Sequence, residues 1–157
     1  MLTHHHKLIR LSLISTDLPI WSVVKATATL EQKDTERFSL LLTEPPLSDR
    51  LSTQDPATKN LCLLWFEISP YRVTMTRQAS GGQLNYRHFW ERGIYGVSNY
   101  WLSSQSLQES DRLALRNFTR NLELVGRPLP QQLRVEYELW SGKVQFGNYI
   151  LKLEIQQ

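Results

Sequence analysis

Near its C-terminus the chain alternates apolar and polar residues with a period of two, which is the spacing of a β-strand. The apolar members of the first arm are Leu133, Val135, Tyr137 and Leu139. Ser141 and Gly142 follow, and this dipeptide is typical of a two-residue hairpin turn. In the second arm the apolar residues change from even to odd positions, and a strand changes phase only where it holds an extra residue. We therefore predict a β-hairpin with a bulge at residues 147–148.

Similar patterns recur along most of the chain and predict a sheet-rich protein. Residues 21–31 and 38–42 are joined by a polar turn and form a second hairpin. Residues 61–69 are apolar at most positions, which predicts a strand that is covered on both faces. About seven to nine strands are expected in total. The other strand candidates are residues 7–15, 71–77, 86–91 and 94–102.

One segment instead has the spacing of a helix. Ser106 and Glu109 match a capping box, in which each side chain satisfies a free backbone amide. The apolar residues that follow are spaced 3-4-3 and would form one stripe. Gly126 and the prolines after it end the pattern, so a helix is predicted over about residues 107–125. The stripe consists of Leu115, Phe118, Leu122 and Val125.

These elements together predict a single α+β domain over residues 1–157. Its sheet is mainly antiparallel and strongly curved or partly closed, with the long helix packed on it and the β-hairpin at the C-terminal end. The chain has 157 residues and 41% hydrophobic content, which is enough for one core. Residues 44–60 are rich in Pro, Ser and Thr and are predicted to be the longest loop.

The composition restricts the function less than it restricts the fold. The net charge of +3, with twelve arginines and six lysines, permits an acidic partner but does not require one. Cys62 is the only cysteine, so no intrachain disulfide can form, and no apolar run is long enough for a transmembrane helix. No export signal is predicted either, so a cytoplasmic location is expected. The sequence has no zinc-ligand spacing, phosphate-binding loop or nucleophile elbow, so neither a cofactor nor catalysis is predicted.

The first candidate site is the aromatic strand around His88. Tyr86, His88 and Trp90 lie on one face of this strand, while Arg87 lies on the other and Arg92 follows it. A row of rings can stack on a flat ligand, and an arginine can bind a phosphate or carboxylate beside it. The alternative is that the rings belong to the core and that the arginines are solvated.

The second candidate site is a set of regularly spaced arginines. Arg112, Arg116 and Arg120, here called the arginine stripe, lie four residues apart and would share one face of the predicted helix. Arg127 follows just beyond that helix. Such a face can dock an acidic protein or nucleic-acid phosphates, and the alternative is an ordinary solvated surface. The N-terminal run of three histidines at residues 4–6 is interpreted as a frayed polar end rather than a metal site.

A non-catalytic binding protein is the function that these features favour. The first candidate partner is an acidic protein surface, in an assembly or regulatory role, because Trp, Tyr and Arg dominate protein interfaces. The alternative is a nucleic acid, especially RNA, bound by the arginine stripe and the aromatic residues. The second alternative is a barrel-like protein or enzyme that encloses a small ligand. The oligomeric state does not follow from the sequence.

Overall fold

The computed structural model describes residues 3–44, 62–79, 85–101 and 112–156. Within them the backbone forms ten antiparallel strands that close into one barrel. Each strand pairs with its neighbours in sequence, and β1 pairs with β10 to complete the closure. The strands are β1 (Thr3–Ser15), β2 (Trp21–Gln32), β3 (Phe38–Glu44), β4 (Cys62–Ile68), β5 (Arg72–Ala79), β6 (Asn85–Glu91), β7 (Tyr95–Trp101), β8 (Arg112–Val125), β9 (Gln132–Ser141) and β10 (Val144–Ile155).

Alternation along each strand directs every second side chain into the barrel. In β4 every even-numbered residue is buried and every odd-numbered residue is exposed. Cross-strand pairs such as Leu30 with Leu40 and Leu40 with Phe66 bring these inward side chains together, and all three are fully buried. Leu133 and Leu153, paired across β9 and β10, extend the same core. Closure of the sheet thus gives one continuous apolar interior.

The predicted α+β class is wrong, because the described residues contain no helix and 112–125 form strand β8. Leu115 and Leu122 both face the interior of the barrel. They are seven residues apart, and in the sequence this spacing favours a helix. A regular strand would direct two such residues to opposite faces, but a bulge between Thr119 and Asn121 shifts the phase. The other half of the predicted stripe, Phe118 and Val125, is not buried in the barrel.

Backbone pairing on both sides supports β8 as a strand, because β7 and β9 satisfy its hydrogen-bonding groups. β7 pairs with residues 112–118 of β8, and β9 pairs with residues 116–125. Local helical spacing cannot compete with these two ladders, which form only in the folded barrel. The capping box and the rest of residues 102–111 lie outside the described residues. So does the predicted loop, apart from Glu44 at the end of β3.

The structure also tests the predictions for single strands and turns. The bulge is confirmed, since the register of β10 against β9 shifts between Gln145 and Asn148. The turn before it is one residue later than expected: Ser141 pairs with Val144, which leaves 142–143 as the two turn residues.

The two-sided burial predicted for β4 is wrong, because Trp65 is 45% exposed on the outer face. The histidines at 4–6 are part of β1 and pair with β2, so that end of the barrel is not frayed.

A cavity lined by aromatic rings inside the barrel

A cavity of about 500 Å³ lies between the inward side chains at one end of the barrel. Leu13 near the end of β1 and Ser22 near the start of β2 mark this end, and Ile20 between them also lines the cavity. The aliphatic part of the wall includes Leu11 and Met75. The rest of the wall is dominated by rings: Tyr86, His88, Trp90, Tyr100, Tyr137 and Tyr149.

These rings form one connected cluster. His88 and Trp90 are two residues apart on β6, so their side chains share a face, and they stack with 4.8 Å between ring centroids and 5° between planes. Tyr137 on β9 continues the cluster, with its centroid 5.0 Å from Trp90 and 5.5 Å from Tyr149. Tyr100 meets His88 edge-on at 5.4 Å. Four strands therefore contribute to a single aromatic wall.

A network of buried hydrogen bonds fixes the orientation of His88. The side-chain amide of Asn117 donates to the carbonyl of Phe89 at 3.0 Å and to Ser98 Oγ at 2.8 Å. Ser98 Oγ is in turn 2.7 Å from His88 Nδ1. The Ser98 hydroxyl has no other acceptor among the described residues, so its proton is donated to Nδ1. The proton of the neutral imidazole is then on Nε2, which lies 3.5 Å from the Tyr100 hydroxyl.

The titratable groups of the wall are neutral at physiological pH. Burial lowers the pKa of His88 to about 3, because the imidazolium would lose its hydration inside the barrel. Burial also raises the pKa values of Tyr100 and Tyr137, and the neighbouring tyrosines raise them further. Burial and Asp17 raise the pKa of Tyr149. None of the described residues that line the cavity is Asp, Glu, Lys or Arg.

Some buried polar atoms have no hydrogen-bond partner within the described part of the chain. Trp90 is fully buried, and its indole Nε1 donor is one of these atoms. Asn117 Oδ1 and Thr119 Oγ1, on the inward face of β8, are two others. Leaving such a group unpaired inside a protein costs about 1–3 kcal/mol. The interior beside the aromatic wall therefore retains unused hydrogen-bonding capacity.

The first candidate site is divided between the two faces of the sheet. Tyr86, His88 and Trp90 face inward together, as the alternation predicts, and all three line the cavity. Arg87 and Arg92 are exposed on the outside of the barrel. The rings and the arginines therefore cannot bind one ligand together, and the interior half alone lines a cavity.

The arginine stripe shares one face, although not the face of a helix. Arg112, Arg116 and Arg120 are all exposed on β8, because a separation of four preserves the face of a strand as well as that of a helix. Along a strand their Cα atoms span roughly 26 Å, against about 12 Å along a helix. Arg127 is exposed beyond β8.

Two members of the arginine stripe already have partners within the chain. Arg116 donates to the carbonyl of Gly142 at 3.0 Å, and its guanidinium lies 4.9 Å from the ring centroid of Tyr95. Arg120 lies 3.6 Å from a carboxylate oxygen of Glu138. These contacts are solvent-exposed and add little stability, so both side chains remain accessible to a partner.

Sequence reasoning missed three of the six rings in the cavity wall. Tyr137 and Tyr149 belong to the alternating apolar positions of the C-terminal hairpin, and that pattern does not assign them to a site. Tyr100, Ser98 and Asn117 gave no local signal, because each meets His88 or its partners only across strands that are paired in the barrel. The alternation offers one clue to these residues, which is a polar residue at a position of a strand that faces the interior.

Metal and membrane features are not found in the described ranges. They contain no group of three His, Cys, Asp or Glu side chains that could hold a metal ion. No helix in them is long and apolar enough to cross a membrane. Cys62 is buried at the start of β4.

A closed antiparallel barrel with a cavity among its inward side chains is the class of protein that these features define. The backbone is similar to that of the ywiB protein from Bacillus subtilis, known from a crystal structure, with a TM-score of 0.58. The similarity covers 99% of this chain and 94% of ywiB at 11% sequence identity, so it concerns the fold alone. No protein-family model matches the sequence, and no curated protein sequence matches it either.

Proposed function

We propose that this protein binds a small, mainly apolar molecule inside its barrel. The observation that carries the proposal is the cavity of about 500 Å³ with its aromatic wall. Ligand sites in proteins are concave, have volumes of roughly 300–1,000 Å³, and combine apolar walls with a few oriented polar groups. The cavity combines these features, and Ser98 and Asn117 orient one of its polar groups, His88, from behind.

Binding without catalysis fits the chemistry of the wall. A general base works best with a pKa near the operating pH, whereas burial lowers the pKa of His88 to about 3. The tyrosines are protonated, and Ser98, which is fully buried, is not accessible as a nucleophile. These groups can donate hydrogen bonds and pack against a ligand, which are the tasks of a binding site.

A matched pair of variants tests whether the cavity is the site. Val24 lines the cavity from β2, while its neighbour Val23 is on the outer face and is 38% exposed. We expect the neutral dye N-phenyl-1-naphthylamine to bind the wild-type protein saturably with a rise in fluorescence. Val24→Phe should weaken this binding at least about tenfold by filling the cavity, and Val23→Phe should leave it unchanged. Equal affinities for the dye in the two variants would refute an interior site.

A protein partner is the second candidate function, and an exposed apolar surface favours it. Leu41, Leu63 and Trp65 lie side by side on the outer faces of β3 and β4 and are 46%, 39% and 45% exposed. Large exposed apolar side chains that cluster often mark interaction sites. The arginine stripe lies on another outer face of the barrel, where the predicted acidic partner or RNA would bind. Both interfaces stay predictions.

A further inference from the structure

We propose that the ligand of the cavity is neutral and flat and carries a hydrogen-bond acceptor, such as a ring carbonyl, which accepts from Nε2 of His88. This inference rests on the proposed function and adds the chemical class of the ligand. It follows from three properties of the cavity wall: the direction of its hydrogen bonds, the neutrality of its side chains and the arrangement of its rings.

The direction of the hydrogen bonds makes His88 a donor toward the cavity. Asn117 donates to Ser98 through its amide nitrogen, and Nδ1 of His88 is the one acceptor that the Ser98 proton has among the described residues, so Ser98 donates to Nδ1. Nε2 must then carry the imidazole proton. Its nearest acceptor in the described residues is the Tyr100 hydroxyl at 3.5 Å, which is at the outer limit for a hydrogen bond. A ligand oxygen at a shorter distance would satisfy this donor better.

The neutrality of the wall opposes a charged ligand. A buried charge requires an opposite charge or several hydrogen bonds, and none of the described lining residues carries a charge. The guanidinium of Arg77 lies 5.9 Å from the ring centroid of Tyr86 but is not among the lining residues. A neutral acceptor gains the hydrogen bond from His88 without losing the hydration of an ion.

The arrangement of the rings favours a flat ligand. His88 and Trp90 stack almost in parallel, and Tyr137 and Tyr149 stack at 22°. Aromatic rings in offset or edge-on contact gain stability beyond their buried area. A planar ring system can join this cluster through the same contacts, and the cavity volume of about 500 Å³ accommodates two or three fused rings.

Fluorene, 9-fluorenone and fluorene-9-carboxylate test the inference, because they share one flat skeleton and differ in the acceptor and the charge. Their affinities are measured by displacement of N-phenyl-1-naphthylamine from the wild-type protein. We expect fluorenone to bind about five- to tenfold more tightly than fluorene, the effect of one net hydrogen bond. We expect the carboxylate to bind more weakly than both.

Two variants identify the donor. His88→Phe retains a ring against Trp90 but has no N–H, so fluorenone should lose its advantage over fluorene. Tyr100→Phe removes the competing hydroxyl and should preserve or increase that advantage. Ser98→Ala gives a second measurement if His88→Phe does not fold. It frees Nδ1 of His88 to take the proton, so the ratio of the fluorenone affinity to the fluorene affinity should fall.

The outcomes separate the inference from the proposed function. If fluorene and fluorenone bind the wild-type barrel with equal affinity, the cavity is a ligand site but the role of His88 is wrong. Tighter binding of the carboxylate would show that the site selects an anion, and the neutral-ligand inference would be overturned. Loss of the preference in Tyr100→Phe, with its retention in His88→Phe, would assign the donor to the tyrosine. If no probe binds, both proposals are refuted.

Discussion

Lowering the pH should destabilise the barrel through His88. In the folded protein burial lowers the pKa of this histidine to about 3, whereas an unfolded chain has the ordinary value of 6.5. Below pH 6.5 the unfolded state therefore binds a proton that the folded state does not. Stability is fully present above the unfolded pKa and is lost as the pH falls from 6.5 toward 3.

The magnitude of this loss follows from the two pKa values. Each pH unit in that window costs about 1.4 kcal/mol, so the free energy of unfolding should fall by about 2 kcal/mol between pH 7 and pH 5 because of His88 alone. At pH 5 Asp and Glu are still mostly ionised, which separates the histidine from acid unfolding in general. The described groups around the ring that titrate are tyrosines, and burial alone accounts for the lowered pKa of His88.

Urea denaturation of the wild-type protein and of His88→Phe at pH 7 and pH 5 measures this effect. The wild-type protein should lose about 2 kcal/mol more than the variant over this interval. His4, His5 and His6 are present in both proteins, so their contribution cancels. If both proteins lose the same free energy of unfolding, then His88 is not held neutral by burial and the reasoning fails.

Two further predictions test β8 and the arginine stripe. Leu122→Ala should cost about 2–5 kcal/mol in urea denaturation, because Leu122 is 3% exposed in the core, while Val125→Ala, at 46% exposure, should change stability by less than about 0.5 kcal/mol. Equal losses would instead agree with the predicted helical stripe. Replacing all three arginines of the arginine stripe by Gln should leave the barrel folded by circular dichroism and weaken binding to heparin, used as an acidic probe, with a smaller dependence on salt. Unchanged heparin binding would leave these arginines as a solvated surface.

The sequence predicted much of the sheet, with strong curvature or partial closure, but not the complete barrel. Alternation grouped the residues that share a face in β6 and β9, and the phase change in β10 located its bulge. The second bulge, in β8, had the opposite effect, because it kept Leu115 and Leu122 on one face at a spacing that favours a helix. A period of two that is broken once within a short segment is indistinguishable from helical spacing by pattern alone.

The candidate site also has one part that the sequence determined and another that only the folded barrel decided. Alternation by itself determined that Tyr86, His88 and Trp90 share a face, because that depends only on the geometry of one strand. Only the tertiary structure decided that this face lines a cavity, and that Ser98 and Asn117 fix the proton of His88. The hydrogen bonds of this network join residues up to 28 positions apart in sequence. They arise from strand register and barrel closure, which are properties of the whole sheet and leave no local pattern in the chain.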